Sequence, residues 1–165
     1  MLYLSHQPRE QSPDIQRALE AADGYIFFNL LDEALAEIDT IDSSSQDEAA
    51  VLLARTRLLL HKKQWRSAEE LSGRGSTLHP EEGEFTVQRA FALQQMRKGE
   101  EADQVLLAAP AWIRRTGILH YNLACYEARL GDLSIARKCI IAAIQMNEGI
   151  KKSARLDPDL QALWN

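Results

Sequence analysis

Four histidines, two cysteines and three pairs of adjacent glutamates are the residues of this 165-residue chain most able to do chemistry. His6, His61, His79 and His120 have no second histidine or cysteine at a metal-ligand spacing, so no metal site is expected. Glu69-Glu70, Glu81-Glu82 and Glu100-Glu101 fall at expected helix starts or solvent faces. There a carboxylate complements the helix dipole without serving as a general acid or base. Cys125 has His120 near it in sequence but on a roughly opposite helical azimuth, with no third group to orient a base. Cys125 and Cys139 lie in apolar helical patterns and are expected as buried reduced thiols. There is no Gly-x-Ser-x-Gly elbow and no glycine-rich phosphate loop. These absences predict a non-catalytic chain without a cofactor.

Charge narrows the partners further. Nineteen Lys and Arg stand against twenty-four Asp and Glu, a net charge of −5, so phosphate backbones are not attracted at long range and nucleic acid is disfavoured. Lys62-Lys63 and Lys151-Lys152 are too short to be basic tracts. No segment reaches the roughly 18 apolar residues of a membrane span, so no membrane insertion is expected. Residues 1–10 lack the pattern of a secretory signal, which makes the cytoplasm the default location.

What the chain does carry is a period. Ala34, Ala68, Ala102 and Ala136 are each 34 residues apart. Twelve residues before each comes Ala22, Thr56, Ala90 or Ala124, and four after comes Ile38, Ser72, Leu106 or Ile140. A small residue on each of two helices lets their axes approach to about 8 Å, so the two small rows predict one antiparallel helix pair per repeat. No alternating strand pattern of useful length appears, and an all-α fold follows.

In these features the sequence resembles the tetratricopeptide repeat (TPR) family, from about Ile15 to Ile150. The likeness is closest where His120-Tyr-Asn-Leu-Ala-Cys-Tyr126 matches the aromatic-Tyr-Asn-Leu-small opening and Gly131-Asp-Leu-Ser-Ile-Ala136 the Gly-Asp turn. Pro80 matches the proline that closes a unit. The resemblance implies a right-handed superhelical solenoid of about four helix-turn-helix repeats, with units near 15–48, 49–82, 83–116 and 117–150 inside a domain spanning 12–150. Several positions depart from the family. The inter-helix glycine survives only as Gly131, its equivalents being Asn29, Lys63 and Arg97, so reshaped turns are expected, with Gly99 a substitute in the third unit. Arg55 and Arg89 replace a leucine, Gly73 and Gly75 weaken one second helix, and Pro110 ends another early.

Local signals set the boundaries. Residues 1–11 are polar and aperiodic, an expected loose arm, and Ser12-Pro13 should open the first helix. Ser45-Gln-Asp-Glu48 has the spacing of a capping box for the second unit. Residues 151–165 should form a short capping helix, with Leu160, Leu163 and Trp164 covering the end of the stack. Trp164 is alternatively an end-surface contact for a partner.

By the family's register the first helices line a concave groove that holds an extended peptide or a helix. Its candidate residues are Leu19, Leu53, Val87 and Tyr121, with Asp23, Arg57 and Phe91. For Leu53 and Val87 ordinary core packing between units is the competing reading. The places where one subclass grips a chaperone's terminal carboxylate with lysine and asparagine hold Leu19, Asp23, Ala54, Glu84 and Gln88, which argues against such a tail. The expected function is a protein-binding adaptor or chaperone-like module. The alternatives are a self-assembling architectural solenoid, with homo-oligomers, or a small acidic secretion-type chaperone.

Overall fold

The computed structural model describes residues 12–164, apart from the side chain of Trp112. The arm expected at 1–11 lies outside the described residues. Helices α1 Pro13–Phe27, α2 Leu31–Asp39, α3 Ala49–His61, α4 Trp65–Leu78, α5 Gly83–Gln95 and α6 Gly99–Ala108 are followed by a single turn, α7 Ala111–Arg114. Then come α8 Ile118–Arg129, α9 Leu133–Met146 and α10 Ile150–Leu156, with 3-10 turns at Ser43–Ser45 and Pro158–Leu163. Among the described residues there is no strand.

The helices pack as neighbouring pairs, α1 with α2, α3 with α4, α5 with α6 and α8 with α9. Both small rows sit at these contacts: Ala22, Thr56, Ala90, Ala124, Ala34, Ala68, Ala102 and Ala136 are all 0% exposed. The two polar-substituted positions satisfy their own hydroxyls. Thr56 donates to the Leu52 carbonyl and Ser72 to that of Ala68, so neither brings an unpaired group into the core.

The turns inside the pairs are not reshaped. Asn29, Lys63 and Arg97 adopt φ of 59°, 57° and 62°, in the same left-handed region as Gly131 at 87°. Each turn closes with the same two bonds. The residue after the left-handed one donates five back, as Leu30 to Tyr25, Gln64 to Leu59, Lys98 to Leu93 and Asp132 to Glu127. The left-handed residue itself donates three back. This is the Schellman arrangement, and its hydrogen bonds hold lysine and arginine in a conformation that costs an L-residue about 1–2 kcal/mol. Gly99 is instead the first residue of α6, so it does not substitute for a turn glycine.

The other departures have local causes. A Cβ on Gly75 would lie 2.3 Å from the Phe85 ring, so this glycine lets the fully buried phenylalanine press against the backbone of α4. At Gly73 an added Cβ would touch the Arg89 guanidinium at 3.4 Å, which pairs with Glu69 at 2.8 Å. Arg55 is held by Asp39 and Gln46. Both arginines therefore make polar bridges to neighbouring elements. Pro110 does stop the third pair's second helix, and the chain resumes through α7 and Gly117, whose left-handed φ is 76°.

Ser12 caps α1 as expected, accepting from the Ile15 amide. The capping box at 45–48 does not form. Glu48 is itself the residue before α3, without a side-chain cap, because Ser43–Ser45 winds into a separate 3-10 turn held by Asp42.

First helices contact one another in chain order, α1 with α3, α3 with α5 and α5 with α8. The Pro158–Leu163 turn continues that order by packing on α8. It buries Leu160 and Leu163, while α10 packs against α9 and against the 3-10 turn itself. No helix of the described residues is long and apolar enough to cross a membrane.

Candidate functional site

Four successive first helices bring polar side chains to one strip. From α1 and α3 come Asp23 and Arg57, 34 residues apart and joined in an ion pair. Glu84 and Gln88 come from α5, one helical turn apart and so on the same face. α8 supplies Asn122 and Tyr126 with the same spacing.

These groups are linked. Tyr126 Oη donates to Glu84 Oε1 at 2.9 Å, and Asn122 Nδ2 donates to Glu84 Oε2 at 3.1 Å. Gln88 Nε2 lies 3.4 Å from both the Leu53 carbonyl and the Tyr126 hydroxyl. Gln88 Oε1 is buried with no hydrogen-bond partner among the described residues. The strip thus has a floor of Gln88, Asn122 and Tyr126, all buried, and a rim of half-buried Arg57 and Glu84 with exposed Asp23. Burial pushes the Glu84 carboxyl above the usual carboxylate range, an effect opposed by Tyr126, Arg57 and Asn122. Burial also disfavours the charge of Arg57, yet Asp23 and Glu84 hold it as a firm cation. Such a strip can hydrogen-bond a ligand. It offers a carboxylate, a guanidinium and an amide oxygen along the direction of stacking.

The expected groove residues divide. Asp23 and Arg57 lie on this strip, and Leu19 and Leu53 are half-buried on the same helices. Val87, Phe91 and Tyr121 are 0%, 2% and 2% exposed, so they present almost no surface to a partner. Phe91 packs against Trp65 and Tyr126, with ring centroids 6.1 and 4.9 Å away. Tyr121 is covered by the C-terminal turn and donates its hydroxyl hydrogen bond to Asp157. For Val87 the core reading holds. Trp164, 39% exposed, donates Nε1–H to the Ala154 carbonyl and carries Arg155 over its ring, so its one hydrogen-bond donor is used within the chain.

Glu84, Gln88, Asn122 and Tyr126 were not marked by the groove register, although Glu84 and Gln88 occupy two of the places compared with the family's carboxylate clamp. A polar run on an otherwise apolar helix face at 84, 88, 122 and 126 is the signal that finds them.

The chemistry-bearing residues are dispersed. His79 lies against the Asp47 carbonyl and the Phe85 ring, and His120 is half-buried, with burial lowering its pKa. His6 lies outside the described residues. Both thiols are buried and unpaired in disulfides, and burial pushes Cys139 up to about 12 and Cys125 higher still, which keeps them protonated and unreactive. Ligand atoms of Cys125, Asp157 and Asp159 lie within 4.8 Å of one another. Their capacity is already committed: Asp157 to the Tyr121 hydroxyl and the Asp159 amide, Asp159 to Arg129 at 2.8 Å. That cluster fastens the C-terminal turn to α8.

A cleft of about 540 Å³ opens from the far side of α5, between α4 and α6, and is lined by Glu69, Arg89, Leu93, Glu101, Val105 and Pro110. Its Glu69–Arg89 bridge and the Lys98–Glu101 pair fill its charged positions with partners from the chain itself. No family model, curated protein or solved structure matches the chain.

Proposed function

We propose that the chain is a TPR-type, non-catalytic module that binds a peptide or helix of another protein along its first helices. The observation that carries this reading is the polar strip of Asp23, Arg57, Glu84, Gln88, Asn122 and Tyr126 crossing four consecutive first helices. Buried amides and a half-buried carboxylate cost stability unless fully paired, and the Gln88 oxygen is not. An apolar face would stack the helices equally well, so the strip is better explained by recognition of a partner's polar backbone.

The four identical turns and eight fully buried small positions support a stack of about four 34-residue units, the right-handed superhelix of the TPR family. The binding face is then the concave one, with Leu19 and Leu53 as its apolar contacts and the cytoplasm as its setting. The decisive variant combines Arg57→Ala with Glu84→Gln, both on the rim. Proteins that co-purify with wild type from its own cells should be retained at least tenfold less by the variant, with its helical circular dichroism unchanged. Equal retention by the two proteins overturns the reading.

A further inference from the structure

The face that carries the polar strip is also the face on which residues 1–11 join the fold. First helices run side by side in the same direction, because equivalent residues meet: Asp23 with Arg57, and Gln88 with the Leu53 carbonyl. On α1, Ser12, Gln16, Leu19 and Asp23 follow one another at steps of four, three and four residues, so they share one side of the helix. Gln16 and Glu20, joined at 2.9 Å, stand two 34-residue periods ahead of Glu84 and Gln88. The strip therefore begins on α1, next to Ser12. That residue is extended, at φ −60° and ψ 142°, so the chain ahead of α1 arrives on the strip's side.

The chemistry of this face is unbalanced in one direction. Along α1, α3 and α5 it holds the carboxylates of Glu20, Asp23 and Glu84 for one cation, Arg57. Arg17 does not add to it, because that position is the register of buried Val51 and Phe85, the side on which the helices stack. Farther along, Arg129 is spent on Asp159 at 2.8 Å, and burial lowers the pKa of His61, so His61 is neutral at pH 7. Leu19 and Leu53, half-buried at one register, supply the apolar part.

Residues 1–11 carry the complement. Arg9 is three residues ahead of Ser12, close enough for its guanidinium to reach Glu20 and Asp23. Glu10 falls beside the positive end of α1, where a carboxylate is favoured. Leu2, Tyr3 and Leu4 are the apolar group, and every residue of the segment except Pro8 has a backbone N–H to give to carboxylates and carbonyls. The reach is sufficient. Eleven residues span up to roughly 36 Å, whereas the three steps from α1 to α8 cover about 24–30 Å at 8–10 Å each.

We propose that residues 1–11 lie across this face and hold the partner's place until a partner displaces them. The inference rests on the binding reading above, since a segment that covers the strip is an internal competitor for it. Arg9 meets Glu20 and Asp23 on α1, and Leu2, Tyr3 and Leu4 lie beyond it, over Leu53 and the neighbouring face of α5. A tether of this length gives a millimolar effective concentration, enough for weak contacts to keep about three chains in four closed. Such a closed state excludes weak ligands and yields to a partner that binds more tightly.

Photo-cross-linking in the purified chain, with no partner present, tests the proposal. A photoreactive residue replaces Tyr3, and its products are mapped by mass spectrometry in a mixture of isotopically labelled and unlabelled chains. Products should join position 3 to α1, α3, α5 or α8 of the same chain. Leu4→Ser with Arg9→Glu should weaken closing about tenfold, which lowers the yield of these products about threefold with helical circular dichroism unchanged. A synthetic peptide of residues 1–11, captured from a photoreactive residue at Leu53, should label that variant about threefold more than wild type. Products mainly on α2, α4, α6 or α9, no product, or products joining two chains overturn the proposal, the last because the face would then take a second copy. Yield or peptide labelling unchanged in the variant overturns it as well. Neither measurement needs the partner, so its failure is distinct from equal partner retention by the Arg57→Ala and Glu84→Gln protein, which overturns the binding reading.

Discussion

Replacing Gly75 by alanine tests the packing of α4 against α5 most sharply, because two effects of known sign oppose each other there. In an ordinary exposed helix position the change gains about 1 kcal/mol of helix propensity. Gly24, which has nothing within 4 Å of an added Cβ, is such a position in α1. At Gly75 the added carbon would sit 2.3, 2.4 and 2.7 Å from three atoms of the Phe85 ring, more than an ångström inside the contact distance of about 3.5–4 Å. The ring is fully buried and lies stacked near His79, with centroids 6.3 Å apart, so it cannot swing into solvent. Overpacking of this kind costs about 1–3 kcal/mol, and the overlap puts Gly75→Ala at the upper end. After the propensity gain, the net loss is about 2 kcal/mol. Gly24→Ala and Gly75→Ala should therefore separate by about 3 kcal/mol, or roughly 1–2 M in urea midpoint by circular dichroism. Adding Phe85→Leu should recover much of the loss, the coupling expected of residues in contact. Equal midpoints for the two alanine variants would refute the assignment of Gly75 as the space for Phe85.

Three further outcomes follow from named contacts. Burial, with Asp132 nearby, pushes the Glu127 carboxyl up to about 7, so it stabilises the fold at low pH and loses that contribution as pH rises from the ordinary carboxylate range through 7. Glu127→Gln should flatten stability against pH over that window, gaining up to about 3 kcal/mol on wild type between about pH 5 and 8 in urea titrations. Tyr121→Phe removes the hydroxyl that holds Asp157, costing the C-terminal turn about 1.5–3 kcal/mol, and should speed tryptic cleavage after Lys151, Lys152 and Arg155. Lys63→Gly should raise the thermal midpoint, and Gly131→Ala lower it, each by about 1 kcal/mol of stability, because both residues sit at positive φ.

The repeat was legible because it is written in small residues, and all eight of those positions are buried at helix contacts. The pairing of helices, the closing of the chain by Leu160 and Leu163, and the interruption at Pro110 followed from apolar spacing and from proline. The turns did not. Lys63 and Arg97 look like poor left-handed residues, and only the hydrogen bonds of a Schellman turn, set by the helices on both sides, fix them there. The capping box at Ser45 failed for a related reason: Asp42, three residues upstream, captures the serines into its own turn.

Within the candidate site, register put Asp23 and Arg57, which pair, on one face but could not separate groove from core. Phe91 and Tyr121 have the size and periodicity of either. What decides them is a third partner the period does not contain: Trp65 and Tyr126 for Phe91, and Asp157 from the C-terminal turn for Tyr121. Glu84, Asn122 and Tyr126 meet only because α5 and α8 are adjacent, a contact of 38 to 42 residues that no local pattern announces.

Photo-cross-linking from the strip tests the central claim most directly. A photoreactive residue is placed at Leu53, on the face of the first helices, and separately at Ile141, 50% exposed on α9. In the protein's own cells a discrete cross-linked partner should form from position 53, fade when Arg57→Ala and Glu84→Gln are added, and be absent from position 141. A partner captured equally at both positions, or from 141 alone, would contradict the account.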